Sequence, residues 1–294
     1  MKTFKTKSLI RRLAIRTQQL KFHLGTFRNQ HFANIGIRPP TDRPSFFTPI
    51  AQGTSSILEI GPLHAPICRR PSARVRYIDA FTTEELRHQY RSDPNVDVQR
   101  IVDVDYVWRG ELYSELISER FDAVVTSHNI EHVPCLVSFL SNLESILNTG
   151  GTIYLAIPDK RYCFDHYKSE SSLEEAILAH QEKQTRPGVS SLLRQLLLVT
   201  HNESLEHWLG NHGQPAFMAS RTESKKLKDE LETMINSHAR TNSYVDTHVW
   251  IFTPVSFARL VSGLRALDLT RLELEAVHET AFGSHEFYAV LRKP

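Results

Sequence analysis

Short apolar runs alternate with helical or turn-rich stretches through the first half of the chain, the pattern of a largely parallel sheet covered by helices. Residues 56–60 (SILEI) read as a first strand and 75–78 as a second. A helix is expected over 82–90, with Thr83 as its cap and Glu84 and Glu85 in the first turn, where acidic side chains complement the helix dipole. Residues 97–102 are a candidate third strand and 121–126 a fourth. Leu136, Leu140, Leu143 and Leu147 then share one helical face, flanked by Phe139 and Ile146. Gly150-Gly151 is expected to end that helix, and 152–157 to form a fifth strand closed by Pro158, which has no N–H to give a ladder.

Beyond this point the alternation stops. Residues 165–245 are polar and helical in pattern, with a capping-box signature at Ser172 and Glu175 and a break at Pro187-Gly188. The strand signal returns at 248–252, Thr253-Pro254 starts a helix before 257–267, and 271–278 and 286–291 read as two closing strands joined through Gly283. The predicted fold is α/β: a doubly wound, mostly parallel sheet with a helical insert. Its divisions are a basic N-terminal leader (1–50), a cofactor-binding core (51–164), an insert serving as a substrate cap (165–245) and the closing strands of the core (246–294).

Composition narrows the class of protein only in places. The 294 residues carry 35 basic and 33 acidic side chains, a balance that gives no support for wholesale binding to nucleic acid or acidic lipid. Outside the leader no basic stripe is interleaved with aromatics, so no nucleic-acid partner is expected. Every charged residue before Asp42 is basic, however, and Leu9, Leu13, Leu20 and Leu24 make residues 1–28 loosely amphipathic. That stretch reads as a transit peptide, a membrane-surface helix or a solvated leader helix. Cys68, Cys135 and Cys163 lie far apart without a CxxC pair, which suits a reducing compartment and indicates neither a disulfide framework nor a structural zinc site. The expected location is cytoplasmic, with peripheral contact at the inner membrane face if the leader supplies it.

The candidate chemistry begins at Glu59-Ile60-Gly61-Pro62. A glycine directly after a buried strand lets backbone approach a ligand closely. Eighteen residues on, Asp79 ends the second strand, where a carboxylate can accept from both hydroxyls of a ribose. Together the two features favour a nucleoside. Leu63 and Pro66 stand where a GxGxxG loop would have its further glycines, which weighs against a dinucleotide with its pyrophosphate.

The segments ILEIGPLHAPI, RYIDAF, VDYVW, FDAVVTSHNIEHVPCL, LNTGGTIYLAIPDKRYCFDHY, THVWIFTPVSF and HEFYAVLRK resemble the class I S-adenosylmethionine-dependent methyltransferases, and within them a group common in bacterial surface-polysaccharide gene clusters. The resemblance implies a seven-stranded sheet with an antiparallel final hairpin and S-adenosyl-L-methionine as cofactor. It also implies that Glu59, Gly61 and Pro62 line the methionine part and Asp79 the ribose. Asp105, with Asp103 as the alternative, would lie near the adenine, and Ser127 and His128 beneath the transferred methyl. The family usually has a glycine where Leu63 stands.

Methyl transfer from a sulfonium is an in-line displacement, and a sugar hydroxyl acceptor wants a general base. His128 after the fourth strand, Asp159 after the fifth and His248 at the return from the insert are the catalytic candidates. The end of the fourth strand is the switch point where ligands bind in open α/β sheets. Each also has a plain structural reading: His128 as a loop residue, Asp159 as a cap for the turn that follows. Glu131 and His132 fit a helix N-terminus. Lys160 and Arg161 read as an anion contact or a solvated face, and Trp208, Trp250, Tyr162 and Phe164 as sugar-stacking rings or core. His201, His207 and His212 read as surface or packing residues. Asp246 and His248 would face the same side of an extended strand, where magnesium could bind, although no metal is required. The acceptor is expected to be a glycan sugar or its precursor; small-molecule or lipid-quinone methylation, and a non-catalytic scaffold, are the alternatives.

Overall fold

The structure, a computed structural model, describes residues 37–53, 56–70, 74–218, 221–241 and 244–294. The leader stretch 1–28 lies outside them. Strand β1 (Ile37–Arg38) and helix α1 (Arg43–Gly53) precede the first expected strand, β2 (Ser56–Ile60). β3 (Arg74–Asp79), α2 (Thr83–Gln89), β4 (Tyr106–Val107), α3 (Tyr113–Leu116), β5 (Phe121–Ser127), α4 (Leu136–Ile146) and β6 (Leu147–Pro158) follow. The insert contributes α5 (Leu173–Gln181), α6 (Val189–Leu198), α7 (Ser204–Trp208) and α8 (Arg221–Arg240). α9 (Pro254–Ala266), β7 (Glu273–His278) and β8 (Glu286–Arg292) close the chain.

The strands form one eight-stranded sheet in the order β1-β7-β8-β6-β5-β2-β3-β4. β8 runs antiparallel to both β6 and β7, and the remaining pairs are parallel. This is a doubly wound α/β fold with the expected antiparallel final strand. It has eight strands where seven were expected, because β1, inside the stretch read as leader, adds itself parallel to β7.

Alternation along the central strands covers both faces. Leu58, Ile60 and Val124 point into a core shared with Leu136, Leu140 and Leu143 of α4 and Phe257 and Val261 of α9. Ile57, Ala123 and Val125 point the other way, toward Phe47 and Ile50 of α1 and Tyr288. Helix α1 is therefore part of the core and not of a detached leader.

Several elements differ from expectation. Residues 97–102 form no strand; Asp97 accepts from Gln99 N and caps a single 3-10 turn, and the strand beside β3 is instead β4. Thr82, not Thr83, caps α2, in a capping box with Glu85. α4 ends at Ile146 and β6 begins at once with Leu147, so Gly150 (φ +75°) turns inside an irregular strand start and does not end the helix. Residues 248–252 join no ladder beyond one parallel bridge between Phe252 and Asp159. The capping boxes at Ser172 and at Thr253 are present, and Gly283 (φ +81°) makes the turn between β7 and β8. None of the described helices is long and apolar enough to cross a membrane.

Candidate active site

Two turns at the carboxyl ends of adjacent central strands define the site. After β2, Gly61 takes φ +64°, and its N–H donates to the Ile78 carbonyl at 3.0 Å, bringing the turn beside the end of β3. A Cβ at Gly61 would meet nothing within 4 Å, so glycine serves the backbone conformation and leaves open space beside it. Leu63 adopts φ +45°, the left-handed conformation that the glycine of the resembled family would hold without strain. Its carbonyl accepts from Val102 N at 3.0 Å.

Glu59, buried on β2, gives both carboxylate oxygens to this loop: Ile67 N and Cys68 N each donate at 2.8 Å. Burial pushes its pKa up to about 7 despite those two bonds and the charge of Arg43. Pro62 is buried within the same loop. Asp79 ends β3 half-buried; its carboxylate accepts a long 3.3 Å bond from Phe81 N, and burial raises its pKa against the local backbone bonds. The carboxylate of Asp105, read as an adenine neighbour, accepts from Tyr77 N at 2.7 Å and pairs with Arg70. Asp103 is exposed and 4.0 Å from Arg87.

After β5 the chain turns through His128, itself at φ +50° and anchored by its N–H to the Ala156 carbonyl. Its Nε2 lies 2.9 Å from Glu286 Oε2. Arg43 of α1 donates to the same oxygen at 2.7 Å and to Ser127 Oγ at 2.8 Å, while Tyr288 Oη donates to Glu286 Oε1 at 2.7 Å. Burial opposes a charge on Glu286, yet the bond to His128 and the charges of Arg43 and His128 hold its pKa down at about 2. Burial likewise opposes a charge on His128, but Glu286 and Glu131 together raise its pKa.

Beyond this turn, three imidazoles surround Glu131, which is fully buried and has neither carboxylate oxygen hydrogen-bonded. His128 Nδ1 and His132 Nε2 stand 3.6 Å, and His248 Nε2 3.9 Å, from Glu131 Oε1. Each ring has a second carboxylate on its other nitrogen: Glu286 for His128, Asp246 for His132 (2.8 Å) and Asp165 for His248 (2.5 Å). His248 is delivered by backbone: Val249 N and Trp250 N donate to the Glu131 carbonyl at 2.7 and 3.1 Å, and Trp250 Nε1 to Val133 O at 2.6 Å. That extended segment is a clamp across the turn, not a sheet strand.

Of the residues expected from sequence, the structure brings Gly61, Asp79, Ser127, His128 and His248 to this end of the sheet. Asp159 needs correcting as a base. It is fully buried, bidentate with Arg161, and also accepts from Thr280 Oγ1 at 2.6 Å and from Arg161 N, so it caps the turn after β6. Arg161 pairs further with Glu279, and Lys160 Nζ donates to the His166 carbonyl, so neither is a solvated face. Glu131 and His132 do not start a helix, since α4 begins at Leu136. Tyr162 and Trp208 stack on each other at 3.7 Å, and Trp250 is core. His207 and His212 pack against His166, with His166 and His212 stacked at 3.7 Å.

Arg43, Glu286, Asp165 and the burial of Glu131 were missed by sequence reasoning. The one available signal was the spacing His128, Glu131, His132, which clusters ligand-type side chains within one turn. An open cavity of about 460 Å³ lies between α1 and residues 65–69, bordered by Arg43, Phe47 and Ile67; neither Asp79 nor the histidines line it.

No protein-family model matches the chain, and no curated protein matches it. Solved structures match at low similarity. A chain described as a Zn-dependent alcohol dehydrogenase from Rhodobacter sphaeroides has a TM-score of 0.43 at 13% identity, covering 87% of this chain and 91% of that one. The trans-methyltransferase CalH, in complex with SAH, has a TM-score of 0.38 at 15% identity over 86% and 55%. The N-methyltransferase NodS from Bradyrhizobium japonicum WM9, also with SAH, has a TM-score of 0.35 at 10% identity over 86% of each chain. Similarity this low assigns neither reaction nor ligand to this chain.

Proposed function

We propose that the chain is an S-adenosylmethionine-dependent methyltransferase that methylates a hydroxyl of a glycan sugar or its precursor. The observation that carries this reading is the pairing of Gly61 and Asp79 on adjacent strand ends beside the switch point between β2 and β5, at the same carboxyl end of the sheet as a histidine-rich turn. The residues fit the cofactor: open space at Gly61 admits a ligand against backbone, and Asp79 keeps a half-buried carboxylate for ribose hydroxyls. Leu63 in a glycine-like conformation keeps the loop shape that the resemblance implies, which argues against a closed, scaffold-only site.

When bound, S-adenosylmethionine supplies an electrophilic methyl group on a sulfonium. The protein has to orient an acceptor oxygen and take its proton. His128 suits that role, because Glu286 fixes the ring through Nε2 and leaves Nδ1 for a proton. Arg43 ties Ser127 and Glu286 together, so the turn holds its geometry. The charged and polar groups here, Arg43, His128 and Glu286, favour a polar acceptor over a quinone ring.

Calorimetric titration with S-adenosylhomocysteine tests the reading, with Asp79→Ala alongside. Micromolar binding, about 8 kcal/mol, that weakens roughly 10- to 100-fold in the variant supports it; folded wild type that binds nothing sinks it. Methyl transfer to a glycan panel then tests the acceptor. Transfer to quinones or small aromatics alone would displace the glycan reading.

A further inference from the structure

We infer that Glu131, His132 and His248 form a binding site for a divalent first-row transition ion of the Zn²⁺ or Fe²⁺ class. One ligand atom from each of the three residues lies within 4.8 Å of the others, and the nitrogens that face Glu131 Oε1 are His132 Nε2 and His248 Nε2. Two histidines and one carboxylate make a facial set that leaves coordination positions open for other oxygen ligands.

Spacing separates this reading from a hydrogen-bonded cluster. A charge-assisted bond between imidazolium and carboxylate closes to roughly 2.7–2.9 Å. Here the gaps to Glu131 Oε1 are 3.6 Å for His132 and 3.9 Å for His248, and neither is a hydrogen bond. Two donors each about 2.1 Å from one ion, at a tetrahedral angle, stand about 3.4 Å apart. Small side-chain movements close that difference. A buried carboxylate with no hydrogen bond is also costly unless a cation meets it.

The outer contacts point the same way. Asp165 is hydrogen-bonded to His248 Nδ1, and Asp246 lies 2.8 Å from His132 Nδ1 as an ion-pair contact without hydrogen-bond geometry, which leaves both Nε2 atoms facing Glu131. Carboxylate–histidine pairs of this kind orient the ligands of metal sites. Lys168 in turn pairs with Asp165 at 2.5 Å and with Gln195 Oε1 at 2.5 Å, fixing the outer partner from the insert. The insert therefore supplies an outer partner of the site.

The site stands on these donors alone; its role in methylation rests on the methyltransferase reading. An ion there would acidify an acceptor hydroxyl, which gives its proton to the adjacent His128 Nδ1. The ion would thus do part of the work that one base alone has to do.

The test is titration of the EDTA-stripped, dialysed full chain with Co²⁺, followed by visible d–d absorption and calorimetry. The expected result is stoichiometric binding with the bands of a low-coordinate nitrogen and oxygen site. Asp165→Asn should weaken it roughly 10- to 100-fold, and His132→Ala and His248→Ala by more. His166, His207 and His212 form a second set able to hold an ion, so the titrations are repeated in the His207→Ala background, which should keep one equivalent of Co²⁺ bound. Circular dichroism checks the fold of each variant, and His132, on a partly exposed turn, decides the matter if the His248 variant fails to fold. No Co²⁺ binding in the His207→Ala background, or binding there that survives His132→Ala, overturns the site. S-adenosylhomocysteine titrated in parallel separates the two readings: metal without nucleoside keeps the site and removes methyl transfer, and nucleoside without metal does the reverse.

Discussion

The turns after β2 and after β5 each hold a non-glycine residue in the left-handed region, Leu63 at φ +45° and His128 at φ +50°, yet they are built from opposite materials. The first is backbone: its loop is held by N–H groups of Ile67 and Cys68 bonded to Glu59, and its side chains are largely apolar. The second is side chain: Arg43, Tyr288 and the His128 imidazole meet on the Glu286 carboxylate, and Arg43 ties in Ser127. A backbone-lined turn suits a ligand that must approach closely, and a side-chain-lined turn suits proton movement. Under the proposed function, the carboxyl ends of these neighbouring strands would divide holding from chemistry.

Breaking the first turn should have the largest effect. Glu59→Ala strands two buried N–H groups, each worth about 1–3 kcal/mol, so the melting temperature should fall by on the order of 10 °C and nucleoside binding should go with it. Differential scanning fluorimetry reads this directly. A fall of only a degree or two would mean that Gly61 and the Leu63–Val102 bond hold the loop unaided. Asp79→Ala is the complement: S-adenosylhomocysteine affinity should drop roughly 10- to 100-fold, the worth of hydrogen bonds to a charged group, with little change in melting temperature. Equal losses of stability in both variants would erase the distinction between a residue that shapes the loop and one that touches the ligand.

Acid should separate the turns further. Glu286 titrates at about 2, below its ordinary 4.5, so its contribution is complete above 4.5 and is lost as pH falls toward 2. Glu59 titrates at about 7, above 4.5, so its contribution is complete below 4.5 and is lost as pH rises through 7. Urea unfolding of wild type against Glu286→Gln and Glu59→Gln, between about pH 8 and 3, should give stability differences of opposite slope. Parallel slopes would show that the Arg43 and His128 network does not hold the Glu286 charge.

The contrast also explains what was legible in sequence. Glu59, Gly61 and Asp79 lie within one strand–turn–strand unit, and a strand end followed by glycine reads locally. Glu59, which the resemblance assigns to the cofactor, has both carboxylate oxygens bonded to Ile67 N and Cys68 N, a role in the loop that the local pattern did not reveal. The second turn assembles residues 43, 127, 128, 286 and 288 from both ends of the chain, and no periodicity links them. Arg43 was hidden by the basic, acid-free run before it, which read as leader. Glu131 and His132 looked like a helix start because a helix does follow, four residues late. The sheet was legible wherever strands were wholly or mostly buried, as at β2 and β5; β4, two half-buried residues long, carries no such signal.

The smallest effect is the most diagnostic of backbone strain. Leucine at φ +45° carries roughly 1–2 kcal/mol of left-handed strain. Leu63→Gly removes that strain, costs about 0.5–1 kcal/mol in chain entropy, and forfeits the partial burial of a half-buried side chain. The three contributions nearly cancel, so Leu63→Gly should unfold within about 1 kcal/mol of wild type. Leu63→Ala keeps the strain and still loses the side chain, so it should be the less stable of the two. That order reverses the usual advantage of alanine over glycine, and denaturant titration of the two variants resolves it. If alanine proves the more stable, the strain at Leu63 is relieved elsewhere, and the turn after β2 would be held by Leu63 packing as much as by its backbone.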